Sequence, residues 1–355
     1  MEDGRTEGTR RRLTWLAAAG ALGLVLVAAV ALYSWAHRTA RFSGSTFAMD
    51  TLVSVTVYGP RAVESGRAAL AEFQRLDKLL SAYRSDSDLG RVNAAAGKEA
   101  ARVSRETVEL VALALRYAAL SGGKFDPTVG PLVRLWGIEA GRAEPPAPGE
   151  VEEARRLVDY RRVMVDVPGR RLYLPEPGMA LDLGGVAKGY AAERAVELLR
   201  QRGVKSALID AGGNIVALGA RPDGSPWRIG LRHPRRPGEV LGVVEVVNRA
   251  VVTSGDYERY FEAGGRRYHH LLDPAAGYPA EGLQSVTVVG PSSTVADILS
   301  TAAFVLGPER GPAFVRKHGM AAITVDAVGE VRVAPELERA WTPDAPSSGG
   351  QGDRT

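Results

Sequence analysis

The chain has 355 residues, 45 basic and 41 acidic, with 45% apolar side chains and a net charge of +4. This is a globular composition, long enough for one large domain or two small ones. A small charge without a basic stripe interleaved with aromatics argues against nucleic acid as a partner. The absence of cysteine excludes disulfides, thiolate metal sites, cysteine nucleophiles and a lipid-modified cysteine anchor.

Residues 1–12 carry Arg5, Arg10, Arg11 and Arg12 and precede Leu13–Ala36, 24 residues without a charged side chain. At 1.5 Å per residue this run is long enough for a hydrocarbon core about 30 Å thick. Trp15, Tyr33 and Trp35 stand near its ends, where amphipathic rings favour the interface. The expectation is a cytoplasmic tail at 1–12, a transmembrane signal anchor at 13–36 and a polar linker at 37–46. A cleaved secretory signal is the alternative, although the run exceeds the usual apolar core of about 7–15 residues. Either reading places the remainder outside the cytoplasm, in the periplasm or on the outer face of the cell membrane.

Beyond the linker, the β-branched Leu52–Tyr58 reads as a strand ended by Gly59-Pro60. Leu70, Phe73, Leu76 and Leu80 recur at helical spacing, which predicts a helix over about 62–81. A second helix runs from about Ser104 to Leu120, with Val108, Val111, Leu115 and Ala118 as its buried stripe and Gly122-Gly123 as its stop. Ala143–Gly149 is Pro-rich and reads as a surface loop. Val163–Val167 and Arg171–Leu174 flank Pro168-Gly169, a hairpin signal. A helix follows Gly189, and strands are expected near 206–209, 215–218, 227–231, 242–247 and 285–289, with a helix near 296–306. Residues 342–355 lack periodicity and read as a disordered tail. Hairpin-like strands mixed with helices predict an α+β fold, with mixed or antiparallel sheets and packed helices in a single catalytic domain over 47–341.

Four segments depart from ordinary core and turn patterns. In Ser121–Trp136 two glycines release a helix into Lys124-Phe125-Asp126-Pro127; an isolated Asp-Pro is more often a turn cap. Asp182-Leu-Gly-Gly-Val-Ala-Lys-Gly189 leads into a helix, whose free N–H groups, with Lys188, suit an anion. A tight turn with a solvated lysine is the bland alternative. His269 and His270 precede Asp273-Pro274; a histidine there is a candidate general base, or a strand-end histidine satisfied by hydrogen bonds. Asp297, Ser300 and Thr301 stand at i, i+3 and i+4, three oxygen donors on one helical face. Hard oxygens suit Mg²⁺ or Ca²⁺, but three are too few for a full shell, and helix capping by Asp297 is the simpler reading.

In this order the segments resemble the ApbE family of FAD:protein FMN transferases, also labelled thiamine biosynthesis lipoproteins. The likeness extends from about Phe47 to Gly311. It includes Met49-Asp-Thr51, Leu80–Asn93, Phe125-Asp-Pro-Thr128, Asp182–Gly189, Gly212-Gly-Asn214, Thr253-Ser-Gly255, His270–Pro274 and Asp297-x-x-x-Thr301. The fold it implies is ApbE-like and T-fold-related. The resemblance implies FAD as substrate, one or two Mg²⁺ at its pyrophosphate, and transfer of FMN to a threonine hydroxyl of an acceptor protein in a membrane redox complex, with release of AMP. By position, Met49, Tyr83, Lys124, Phe125, Asp126, Asp182, Lys188 and Leu271 match family FAD contacts. Asp297, Ser300 and Thr301, with the Gly185 carbonyl, match its metal positions. His270 matches the histidine that assists threonine deprotonation, with Lys188 close by to steady the charge. Asp50 stands where the family usually has glycine, and a membrane helix replaces the usual lipoprotein cysteine. A metal-dependent FAD pyrophosphatase and a membrane-tethered flavin-binding protein without activity are the alternatives; a homodimer stays open.

Overall fold

The computed structural model describes residues 15, 19–33, 40–138 and 140–344. Its centre is a sheet whose eight strands follow one another in space in the order in which they occur in the chain, each pair antiparallel. They are β1 (Arg41–Ala48), β2 (Thr51–Tyr58), β3 (Ser206–Ala211), β4 (Asn214–Leu218), β5 (Arg249–Gly255), β6 (Leu283–Gly290), β7 (Ala321–Asp326) and β8 (Val331–Val333). The α+β expectation with antiparallel sheets holds.

Between these strands the chain inserts α1 (Ala62–Leu80), α2 (Asp88–Ala94), α3 (Arg105–Leu120), α4 (Gly130–Trp136), α5 (Pro148–Arg155), α6 (Ala187–Gln201) and α7 (Ser293–Lys317). Alternation along the strands sends Val53, Val55, Val57, Ile209, Val252 and Val288 to one face, under Phe73 and Leu76 of α1, Val196 and Leu199 of α6 and Ile298 and Phe304 of α7. The intervening residues Ala217, Val251, Val289 and Ile323 face the other way. They pack against a small sheet made by Trp227–Arg232, Val240–Val246 and Trp341–Pro343.

Four boundaries differ from those expected. The segment 37–46 is not all linker, since β1 begins at Arg41. Its Ser, Gly and Thr composition reads as polar, yet Phe42 and Gly44 alternate inward onto Leu70 and Gly66 of α1. Thr342 and Pro343 belong to a strand paired with Thr342↔Val243 register rather than to a tail; residues 345–355 lie outside those described. Pro148 and Gly149 open α5 instead of ending a loop, because proline suits the first turn of a helix. The last predicted helix is longer than expected, 25 residues with a break at Gly307, whose φ of 84° only glycine adopts freely.

Among the described residues no helix is long and apolar enough to cross a membrane. The helical run 19–33 falls inside the expected anchor, whose remaining positions, Trp15 apart, lie outside the described residues, as does the tail 1–12.

Candidate functional site

One end of the sheet is built from the start of β2, the β3–β4 turn and the end of β5. It opens into a cavity of about 1190 Å³, beyond the roughly 300–1,000 Å³ of ordinary small-molecule pockets. Loops and helix segments from several other parts of the chain close around it.

The β1–β2 turn supplies Met49 and Asp50, with φ of 54° and 56°. Two successive left-handed residues define the tight hairpin turn that matches strand twist. Aspartate tolerates this conformation better than most side chains, which explains how Asp50 stands in for glycine. The Met49 amide donates to Asp77 Oδ1 at 3.0 Å, tying the turn to α1.

The Gly184-Gly185 loop and α6 form the next wall. The Gly184 amide donates to Asp182 Oδ1 at 2.7 Å, and Lys188 Nζ donates to the Gly184 carbonyl at 3.3 Å. Burial raises the Asp182 carboxyl above its ordinary value, against the lowering effect of its Gly184 hydrogen bond and of Lys188 and Arg134. Gly189 is where α6 crosses α7: a Cβ there would lie 2.3 Å from the Ser293 carbonyl oxygen and 2.7 Å from Asp297 Cβ. That contact lets the Gly189 amide donate to Asp297 Oδ2 at 2.8 Å.

Asp297 is 3% exposed, and both it and Thr301 reach the cavity wall. A Cβ on Gly185 would sit 3.1 Å from Thr301 Oγ1, so the glycine loop and the α7 hydroxyl adjoin. Asp297 Oδ1, Thr301 Oγ1 and the loop carbonyls are all hard oxygen donors, which fit a divalent cation of the Mg²⁺ type. Among the described residues no three His, Asp or Glu side chains cluster to hold a metal, so such an ion would draw its other ligands from phosphate and water. Ser300 does not join the set: its hydroxyl donates to the Asp297 carbonyl at 2.9 Å and accepts from Ser254 Oγ at 2.8 Å. It fastens α7 to β5 and is absent from the cavity wall.

His270 follows the hairpin Tyr260–Ala263/Arg266–His269, turned by Gly264-Gly265, whose register sets it opposite Arg259. Its amide donates to the Arg259 carbonyl at 3.1 Å, and Nδ1 lies 3.3 Å from the same oxygen. A carbonyl only accepts, so Nδ1 holds the proton and Nε2 keeps its lone pair. Burial, followed by the charges of Lys188, Arg259 and His269, pushes the ring from 6.5 to about 3, and it is neutral at physiological pH. His269 takes the bland role: 5% exposed, it pairs through Nε2 with the Ala280 carbonyl at 2.9 Å.

The remaining expected contacts divide. Tyr83, Phe125 and Leu271 line the cavity. Lys124 lines it too, paired with Asp273 at 2.7 Å. Asp126 adjoins it, but its carboxylate accepts from the Thr128 amide at 2.8 Å, the Thr128 hydroxyl at 2.6 Å and the Tyr160 amide at 3.0 Å. Its oxygens are thus spent on the Asp-Pro turn, as capping would have it. Sequence reading gave no role to Arg134, Glu258 and Arg259, which also line the cavity. The Gly264-Gly265 hairpin signal could have found Arg259.

The ApbE family model matches residues 49–324 of this chain. A FAD:protein FMN transferase of Treponema pallidum is 41% identical over 300 residues, 79% of this chain and 83% of that protein. The crystal structure of the ApbE protein of Thermotoga maritima superposes with a TM-score of 0.79 at 34% identity, covering 85% of this chain and 99% of that one. The apo form of the Pseudomonas stutzeri flavinyl transferase ApbE gives 0.74 at 37% identity, covering 86% and 97%.

Proposed function

Because the chain belongs to the ApbE family, we propose that it is a FAD:protein FMN transferase, and that this cavity is where FAD meets the acceptor threonine. The observation that carries the reading is the convergence of three features on one cavity: the glycine loop with Lys188, the oxygen donors Asp297 and Thr301, and a neutral His270 with a free Nε2.

The anionic diphosphate of FAD belongs against the Lys188 wall, where a cation and the positive dipole end of α6 meet negative charge. Asp297 Oδ1, Thr301 Oγ1 and the Gly185 carbonyl would hold Mg²⁺ there, which when bound neutralises diphosphate charge. His270 Nε2 takes the proton of the acceptor threonine. The threonine oxygen forms a bond to the phosphorus of the FMN half, and the bond from that phosphorus to the bridging oxygen breaks, leaving AMP. Such a base contributes about 10²–10⁴-fold. Its low affinity for protons in the free protein reflects burial first and then the Lys188 and Arg259 charges; a bound diphosphate offsets the charges and raises basicity by that part.

The anchor is part of the same proposal. Leu22, Leu24, Val25, Leu26, Val27, Val30 and Leu32 are all 59–73% exposed in the helical run 19–33. An apolar helix whose large side chains are this exposed is a surface for lipid. It would hold the catalytic domain at the outer face of the membrane, beside membrane-bound acceptors.

The deciding experiment incubates the purified protein with FAD, Mg²⁺ and a candidate acceptor domain. An adduct of FMN mass on a threonine, with AMP released, is expected. AMP and free FMN without adduct would identify a pyrophosphatase, and intact FAD would identify a binding protein.

A further inference from the structure

Two polar ties fix how α6 lies against α7. The first is the bond from the Gly189 amide to Asp297 Oδ2 at 2.8 Å. The second is Glu193, about one turn further along α6. A single oxygen of its carboxylate, Oε2, accepts from the Ser292 hydroxyl at 2.7 Å, the Thr294 amide at 2.8 Å and the Thr294 hydroxyl at 2.7 Å. These donors form the start of α7, where the Ser292 hydroxyl in turn accepts from the Val295 amide at 3.3 Å. One free amide of the helix start is thus met by its own cap and another by an acid from the neighbouring helix. Glu197, the other acid of α6, pairs with Arg194 of its own helix. Only Glu193 reaches across.

Asp297 stands three residues after Thr294, on the same face of α7. It is held from both sides, by Glu193 through Thr294 ahead of it and by the Ser300–Ser254 bond at 2.8 Å behind it. The Gly189 amide occupies Oδ2, which leaves Oδ1 for a cation. Where Oδ1 points depends on how α7 is turned about its axis. Side-chain tips stand roughly 5–6 Å from a helix axis, so a rotation of about 10° displaces them by about 1 Å. Ligand distances around a hard divalent ion tolerate only about 0.2 Å. Thr301, one turn beyond Asp297, moves with it. Glu193, Ser292 and Thr294 are all absent from the cavity wall, so whatever Glu193 does for the site it does through the set of α7.

We infer that Glu193 is a positioning residue, which holds the start of α7 so that Asp297 and Thr301 present their oxygens to a divalent cation. This rests on the reading of the cavity as a Mg²⁺-dependent FAD:protein FMN transferase site. The test compares wild type, Glu193→Ala, Glu193→Gln and Thr294→Val. Mn²⁺ binding to the FAD-loaded protein is read by electron paramagnetic resonance as loss of the free-ion signal. Tm and the Mg²⁺ concentration that half-saturates AMP release in the acceptor assay are measured beside it. Glu193→Ala should weaken Mn²⁺ binding and raise the Mg²⁺ requirement about 10–100-fold, with kcat regained at saturating Mg²⁺. Glutamine keeps an oxygen that accepts from Thr294, so Glu193→Gln should recover most of the affinity. Thr294→Val, which removes one donor and leaves the Glu193 charge in place, should shift binding in the same direction by a smaller factor, and it serves if the alanine variant does not fold. Tm falls in Glu193→Ala whether the residue only caps the helix or also aims the site, so metal binding decides. Lowered Tm with unchanged Mn²⁺ binding and Mg²⁺ requirement would overturn the inference. Equal weakening in the glutamine and alanine variants, with Thr294→Val unaffected, would also overturn it, by tracing the effect to charge alone. A wild type whose AMP release ignores Mg²⁺ would remove the functional reading itself, a result distinct from a Mg²⁺-dependent wild type whose variants need no more of the ion.

Discussion

Gly189→Ala probes how the candidate cation site is aimed. The added methyl would lie 2.3 Å from the Ser293 carbonyl oxygen, about 1 Å short of ordinary contact at 3.4 Å. Backbone cannot swing aside as a flexible side chain does, so α6 and α7 must separate. Overpacking of this kind costs about 1–3 kcal/mol. The bond from the Gly189 amide to Asp297, now 2.8 Å, stretches and loses about 1.5 kcal/mol more. Alanine's better helix propensity returns about 1 kcal/mol. The net loss of about 1.5–3.5 kcal/mol lowers Tm by roughly 2–6 °C in a domain of this size. Asp297 moves with α7, so AMP release from FAD at limiting Mg²⁺ falls further than the lost stability explains. Thermal unfolding and AMP release, both at a temperature where the variant is folded, test this. An unchanged Tm with unchanged Mg²⁺ dependence would show that the helix crossing does not orient the carboxylate.

Asp297→Ala should abolish Mg²⁺-dependent AMP release, measured by chromatography; an unaffected rate would remove Asp297 as a ligand. His270→Gln should slow threonine modification about 10²–10⁴-fold with FAD affinity, read by fluorescence titration, nearly intact. The wild-type His270 ring titrates far below 6.5, so between about pH 6.5 and 3 the unfolded chain binds the extra proton and acid removes stability. Tm of His270→Gln should therefore fall less than that of the wild type between pH 7.5 and 5.5. Asp126 and Asp182, whose raised values act in the opposite sense, are common to both proteins and drop out of the comparison. Asp126→Ala should lower Tm, since three donors lose their acceptor.

What the sequence determined by itself was local. The Leu70, Phe73, Leu76 and Leu80 spacing fixed α1, and Ser104 fixed the start of α3, where its hydroxyl accepts from the Thr107 amide at 3.1 Å. The ordered motifs from Met49 to Thr301 carried the family, because glycine turns and acid–hydroxyl spacings are properties of contiguous chain. β1 was hidden, since an edge strand with one face in water buries too little to show a pattern. Tertiary structure alone decided which motif residues face one another. Ser300 shares a helix with Asp297 and Thr301, yet its hydroxyl turns toward Ser254 on a strand 46 positions away. Asn214 read as one letter of a turn motif until the packing of β3, β4 and β5 shut its amide from water. Desolvation depends on what the rest of the chain brings alongside, and no local pattern of residues carries that information.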